Sequence, residues 1–190
     1  SNEFNKIIVI TIDDNYSIGK KIRNVPSNII FYRASFKYGL MAKISSTSLI
    51  FHKFFIKELK NIFLSRNKLL FLRNLIRESY VSLKYRNKIY ELCELNNIDF
   101  NHLFIYTYWL TEPTIASVLV KNKFNNVVAI SRAHSYDFYN SRSPSGFWPL
   151  RKFMSDNLNA IFFVSNFGKN YFINRFKVVD SSNLFTSRLG

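Results

Sequence analysis

A chain of 190 residues is long enough for one hydrophobic core of ordinary size, and an apolar fraction of 47% excludes a disordered chain. Its 27 Lys and Arg against 12 Asp and Glu leave a net charge of +15, which favours anionic partners such as nucleic acid, an acidic membrane face or phosphorylated substrates. The single cysteine, Cys93, excludes an intrachain disulfide and a cysteine-based zinc site.

Residues 4–12 (FNKIIVITI) predict a buried strand rich in Ile and Val. Asp13-Asp14-Asn15 ends it with turn chemistry and interrupts the apolar run, so the stretch does not read as a signal peptide. No apolar run approaches the roughly 20 residues of a membrane span. A second short strand is expected at 28–31, after Pro26. Residues 33–46 follow no single pattern and carry Arg33, Lys37 and Lys43 among aromatics.

Residues 48–96 read as two or three helices. Phe51, Phe55, Leu59 and Ile62 recur at helical spacing, with Lys53, Lys57 and Lys60 on another face. After Ser65-Arg66-Asn67 a second pattern runs through Leu69, Leu72, Ile76, Leu83, Tyr85, Ile89 and Leu92, and stops near Asn96-Asn97. Arg73, Arg77 and Lys84 share its polar side, and Cys93 reads as inert core. The only acids of the region are Glu58, Glu78, Glu91 and Glu94. This basic face has two sharp readings, an anionic membrane surface or a nucleic-acid backbone, and one plain reading, a solvated face over an apolar core. No helix-turn-helix, zinc-finger or RNP-type motif supports nucleic acid, which is not expected as a partner.

Strands and helices then alternate. Strands are expected at 103–106, 127–131, 160–164 and 184–187. Helices are expected at 112–121, 148–157 and 166–176, and a loop at 141–146. Thr111 and Ser165 read as N-caps, and Pro113 suits a first helical turn. Repeated strand–helix–strand units predict an α/β fold: a Rossmann-like, doubly wound parallel sheet flanked by helices, in a single domain.

The five glycines, Gly19, Gly39, Gly146, Gly168 and Gly190, are too far apart for a dinucleotide-binding or Walker A loop. His52, His102 and His134 are scattered and lack acidic neighbours at metal-ligand spacing, so no metal is expected. No G-x-S-x-G elbow is present. The stretch 126–139 (NVVAISRAHSYDFY) stands out. A buried strand ends abruptly in Ser131, Arg132, His134, Tyr136 and Asp137, and open α/β sheets hold their ligands beyond the carboxyl ends of strands. Its plain alternative is a surface loop with a hydrogen-bonded histidine. Tyr108 and Trp109 leave the neighbouring strand at the same sheet edge. Their plain reading is packing under the helix that starts near Glu112.

SRAHSYDFY (131–139) resembles the SRAHGxDLY segment of bacterial group 1, retaining glycosyltransferases of the GT-B type. YTYWL (106–110), residues 149–158 followed by AIFFVSNFGKNYF (160–172), and SRLG (187–190) resemble the same family. The similarity covers residues 100–190 well and the earlier part more loosely. Ser135 departs from the family's glycine.

The resemblance implies one half of a GT-B fold, with residues 1–190 forming the acceptor-side, N-terminal domain. It further implies a chain that stops before the C-terminal donor domain and lacks the family's opening βα unit, so that alone it would be inactive. The implied reaction moves a sugar from a nucleotide-sugar donor to a glycan or lipid-linked acceptor with retention of configuration, in polysaccharide or cell-envelope synthesis. No cofactor or metal is expected, the nucleotide sugar being a substrate. His134 is the implied catalytic residue, holding a sugar hydroxyl or offsetting charge on the leaving phosphate. Tyr108, Trp109, Arg132, Tyr136 and Asp137 are the expected substrate-binding residues. The expected location is cytoplasmic, extending to the inner face of the cytoplasmic membrane. The competing reading, from another class, is a non-catalytic basic α/β module that binds nucleic acid or an anionic membrane.

Overall fold

A computed structural model describes residues 4–12, 26–34 and 52–188. The features expected at Asp13-Asp14-Asn15, Lys37, Lys43, Phe51 and Gly190 lie outside the described residues, as does the side chain of Arg33. The chain divides into two compact units, one within residues 1–37 and one within 38–190.

In the first unit, β1 (Ile7–Ile12) and β2 (Ile29–Ala34) pair in parallel, from Ile7↔Ile29 to Ile12↔Ala34. The second strand runs past the expected residue 31, because the ladder to β1 continues through Ala34.

The second unit is an α/β domain with a four-stranded parallel sheet. Its strands are β3 (Phe104–Thr107), β4 (Val128–Ala133), β5 (Ala160–Phe163) and β6 (Leu184–Thr186), in the order β3-β4-β5-β6. Its helices are α1 (Lys53–Leu59), which tightens into a 3₁₀ segment (Lys60–Leu64), α2 (Lys68–Leu95), α3 (Glu112–Lys123), the single turn α4 (Ser135–Phe138), α5 (Arg151–Asn157) and α6 (Asn166–Phe176).

Strand order follows sequence order, so the chain advances across the sheet in one direction. Right-handed crossovers then place all three connections on one face. Burial agrees: Ala129, Ser131, Ala133, Ile161 and Phe163 are buried, while the alternate positions Phe104, Tyr106, Val128 and Phe185 are exposed. The order reversal that defines a doubly wound sheet does not occur within these four strands.

The element boundaries have local causes. β4 extends two residues beyond the expected 131, because Arg132 and Ala133 still pair with Phe162 and Phe163 of β5. α5 starts at Arg151, not 148, because Leu150 adopts a left-handed backbone (φ 63°) that turns the chain into the helix. α6 starts where expected: Ser165 Oγ accepts the Gly168 N–H at 3.1 Å. Thr111 occupies the N-cap position of α3 but makes no side-chain cap. α2 is one uninterrupted helix of 28 residues, opened by Asn67, whose side chain accepts the Leu70 N–H at 3.0 Å.

The core lies between the sheet and its helices. Phe71 and Leu75 of α2, Ile115 and Val118 of α3, Phe138, Met154 and Phe172 meet the buried face of β4 and β5. Cys93 is buried in α2, and burial pushes its thiol up to about 11, which leaves it unreactive at neutral pH.

Candidate functional site

β3 and β4 are adjacent and parallel, so the segments leaving them emerge side by side. Thr107 leads to Tyr108, Trp109 and Leu110; Ala133 leads to His134 and the α4 turn. One carboxylate ties the two exits together. Asp137 Oδ2 accepts the His134 N–H at 2.9 Å and the Leu110 N–H at 3.1 Å. The first of these is the bond that an acidic residue three positions into a helical turn makes to the N-cap backbone. Asp137 was expected to face substrate; its carboxylate is buried and turned inward. Burial raises its pKa, opposed by those two backbone donors and by Arg151.

Buried hydroxyls brace the β3 exit. Thr107 Oγ1 donates to Ser131 Oγ at 2.8 Å, and Thr114 Oγ1 donates to the Trp109 carbonyl at 2.7 Å. They fix the main chain that carries the Trp109 ring.

The turn is anchored from behind by Arg151. Its Nε donates to the Asp137 carbonyl at 2.7 Å, and its Nη1 donates to the Pro149 carbonyl at 2.8 Å and to Glu78 Oε2 at 2.7 Å. Arg151 and Glu78 are only 1% and 2% exposed. Burial pushes the Glu78 carboxyl up to about 7, against the pull of Arg151. Between its unperturbed 4.5 and about 7 the folded chain therefore holds more protons than the unfolded chain, and stability falls as pH rises through that window. Asp137, also raised, acts in the same direction. The melting temperature at pH 6 should exceed that at pH 8 by roughly 2–4 °C, corresponding to about 1 kcal/mol. Calorimetry at both pH values checks this, and Glu78→Gln should flatten the dependence. A higher melting temperature at pH 8 would show that Arg151 outweighs burial.

On the open side, the His134 ring rests against Tyr108 (centroids 4.8 Å apart) and Trp109 (4.4 Å). Both aromatics are nearly half exposed. His134 Nε2 is buried and has no hydrogen-bond partner among the described residues, and neither has Arg132 Nε. Arg132 and His134 are two positions apart in extended backbone, so they leave β4 on the same side. Arg132 Nη2 donates to the Ser187 carbonyl at 2.8 Å, which draws its head toward the end of β6. Tyr136 turns outward, with Arg142 over its ring at 4.7 Å.

The structure thus gathers His134, Tyr108 and Trp109 into one cluster, directs Arg132 toward β6, and places Asp137 beneath as a brace. No family model, curated protein or solved structure matches the chain. The chemistry available at the cluster is that of two aromatic faces beside an imidazole, with Arg132 on the same side; among the described residues His134 Nε2 and Arg132 Nε have no hydrogen-bond partner. Aromatic faces stack on apolar ring surfaces, and buried polar groups without partners seek hydrogen bonds.

Sequence reasoning missed Glu78, Arg151 and the Leu110 N–H. A signal for Glu78 was present: Leu75, Glu78, Ser79 and Ser82 are all buried and recur at three- and four-residue spacing, the inward stripe of α2. An acid on such a stripe requires a buried partner.

Proposed function

We propose that the chain is the acceptor-side, Rossmann-like domain of a retaining GT-B glycosyltransferase. In this reading the cluster at the ends of β3 and β4 holds a sugar during transfer from a nucleotide-sugar donor to a glycan or lipid-linked acceptor. The observation that carries it is the His134 imidazole, its Nε2 without a partner among the described residues, walled by Tyr108 and Trp109 at the carboxyl ends of two adjacent parallel strands. A pyranose has apolar C–H faces that pack on aromatic rings and hydroxyls that accept from an imidazole N–H. A protonated imidazole also offsets negative charge as phosphate leaves. Arg132 adds positive charge on the same side, and Asp137 acts by holding the turn. The reading gives no role to a metal. The finer fold, a doubly wound domain forming one half of a GT-B enzyme, and a cytoplasmic location belong to the same proposal.

The chain has two tryptophans, Trp109 and Trp148. Oligosaccharides and nucleotide sugars should change its fluorescence saturably in the millimolar range. Trp109→Phe should abolish the change and Trp148→Phe should preserve it. No response to any sugar, together with steeply salt-dependent binding to DNA or RNA, would instead support the non-catalytic basic module.

A further inference from the structure

The junction of α1 and α2 carries large apolar side chains in solvent. Phe63 is 78% exposed and Leu69 81%, and Ile56 and Leu64 are exposed as well. Ile56, Lys60, Phe63 and Leu64 recur at helical spacing along the rod formed by α1 and its 3₁₀ extension, so they share one side. Lys68 lies over the Phe63 ring at 5.4 Å, which joins the two ends of the patch.

The charge around this patch has one sign. From His52 to Ile76 the sequence has six cations, Lys53, Lys57, Lys60, Arg66, Lys68 and Arg73, and one acid, Glu58. The six cations are exposed; Glu58 is buried and accepts from Asn61 Nδ2 at 2.9 Å. Beside the patch, between α1, α3 and α5, runs an open groove of about 420 Å³ bordered by Lys53, Lys57 and Lys60 on one side and by the Lys152–Asp156 ion pair on the other.

Exposed apolar tips ringed by lysines fit a surface with a hydrocarbon layer below a layer of negative charge. A nucleic-acid backbone would match the lysines and leave Phe63 and Leu69 without an apolar counterpart. Among the described residues no helix is long and apolar enough to cross a membrane, so the fit is to a surface contact. We propose that the α1–α2 junction is a docking surface for an anionic lipid bilayer. Phe63 and Leu69 enter the acyl boundary, and Lys53, Lys57 and Lys60 hold phosphate headgroups along the groove.

Vesicle flotation tests this with the intact chain. Wild type should float with phosphatidylcholine vesicles containing anionic phosphatidylglycerol, and not with phosphatidylcholine alone. Added salt should weaken the binding. Lys53→Gln, Lys57→Gln and Lys60→Gln combined should lower the partition constant by about a hundredfold, near fivefold per charge. Phe63→Ser with Leu69→Ser should weaken it by at least about tenfold, with the melting temperature unchanged because both side chains lie in solvent. In Phe63→Trp, the new indole should shift its emission to the blue on anionic vesicles. Equal flotation on neutral vesicles, or wild-type flotation by either combined variant, overturns the proposal. So does binding to nucleic acid without flotation.

Discussion

Arg151→Met should destabilise the protein by about 3–5 kcal/mol, lowering the melting temperature by roughly 10–15 °C. The expectation rests on what the side chain leaves behind. Arg151 is buried and gives hydrogen bonds to Glu78 and to the carbonyls of Asp137 and Pro149, and its guanidinium also lies over the Trp148 ring at 4.8 Å. Methionine fills much of the volume and supplies none of those donors. The Glu78 carboxylate is then stranded in the core, and two carbonyls lose their partner. Because Glu78 can escape by taking up a proton, the loss should be smaller at pH 5 than at pH 8. Replacing both members, Glu78→Leu with Arg151→Met, should recover most of the stability, since an apolar pair of similar size leaves no charge unpaired. Urea and thermal melts of the three variants check this. A loss below about 1 kcal/mol for the single variant would mean that the pair does not hold the turn.

Under the proposed glycosyltransferase function, His134→Ala should lower sugar-transfer turnover by roughly a hundredfold, a loss of about 3 kcal/mol of transition-state stabilisation. The fold should tolerate the change. The bond from residue 134 to Asp137 comes from the backbone N–H, which alanine keeps. What is lost is the ring between Tyr108 and Trp109 and its Nε2, which has no partner among the described residues. His134→Gln keeps a donor but cannot ionise. Partial recovery would assign the effect to hydrogen bonding, and little recovery would assign it to charge. Wild-type turnover by His134→Ala would remove the imidazole from catalysis. Unfolding would show that the ring serves packing alone.

Much of the domain was legible because its signals are local. Ser165 caps α6 through the bond its sequence position predicts, and the short apolar runs of β3 to β6 each lie between turn residues. Polarity at the end of β4 marked a candidate site, and the structure puts His134 beside Tyr108 and Trp109 there. The same polarity hid the direction of Asp137. A carboxylate three residues after a histidine reads equally as ligand contact or as helix cap, and only the fold brings the Leu110 N–H within reach. The Glu78–Arg151 pair joins residues 73 positions apart, and no local pattern encodes which two charges meet across such a distance. Phe63 and Leu69 were hidden for the opposite reason. Apolar side chains at helical spacing are ordinarily core, and it takes a folded surface to show that these two lie largely in solvent.

α2 is also a ruler. Leu69 and Glu78 stand nine residues apart on one unbroken helix, an axial rise of about 14 Å. Glu78 grips Arg151, Arg151 grips the Asp137 turn, and that turn carries His134. The α1–α2 junction and the His134 turn are therefore joined by one unbroken helix and a run of hydrogen bonds. Where the junction docks as proposed, the same helix fixes how far the His134 turn stands from the contact.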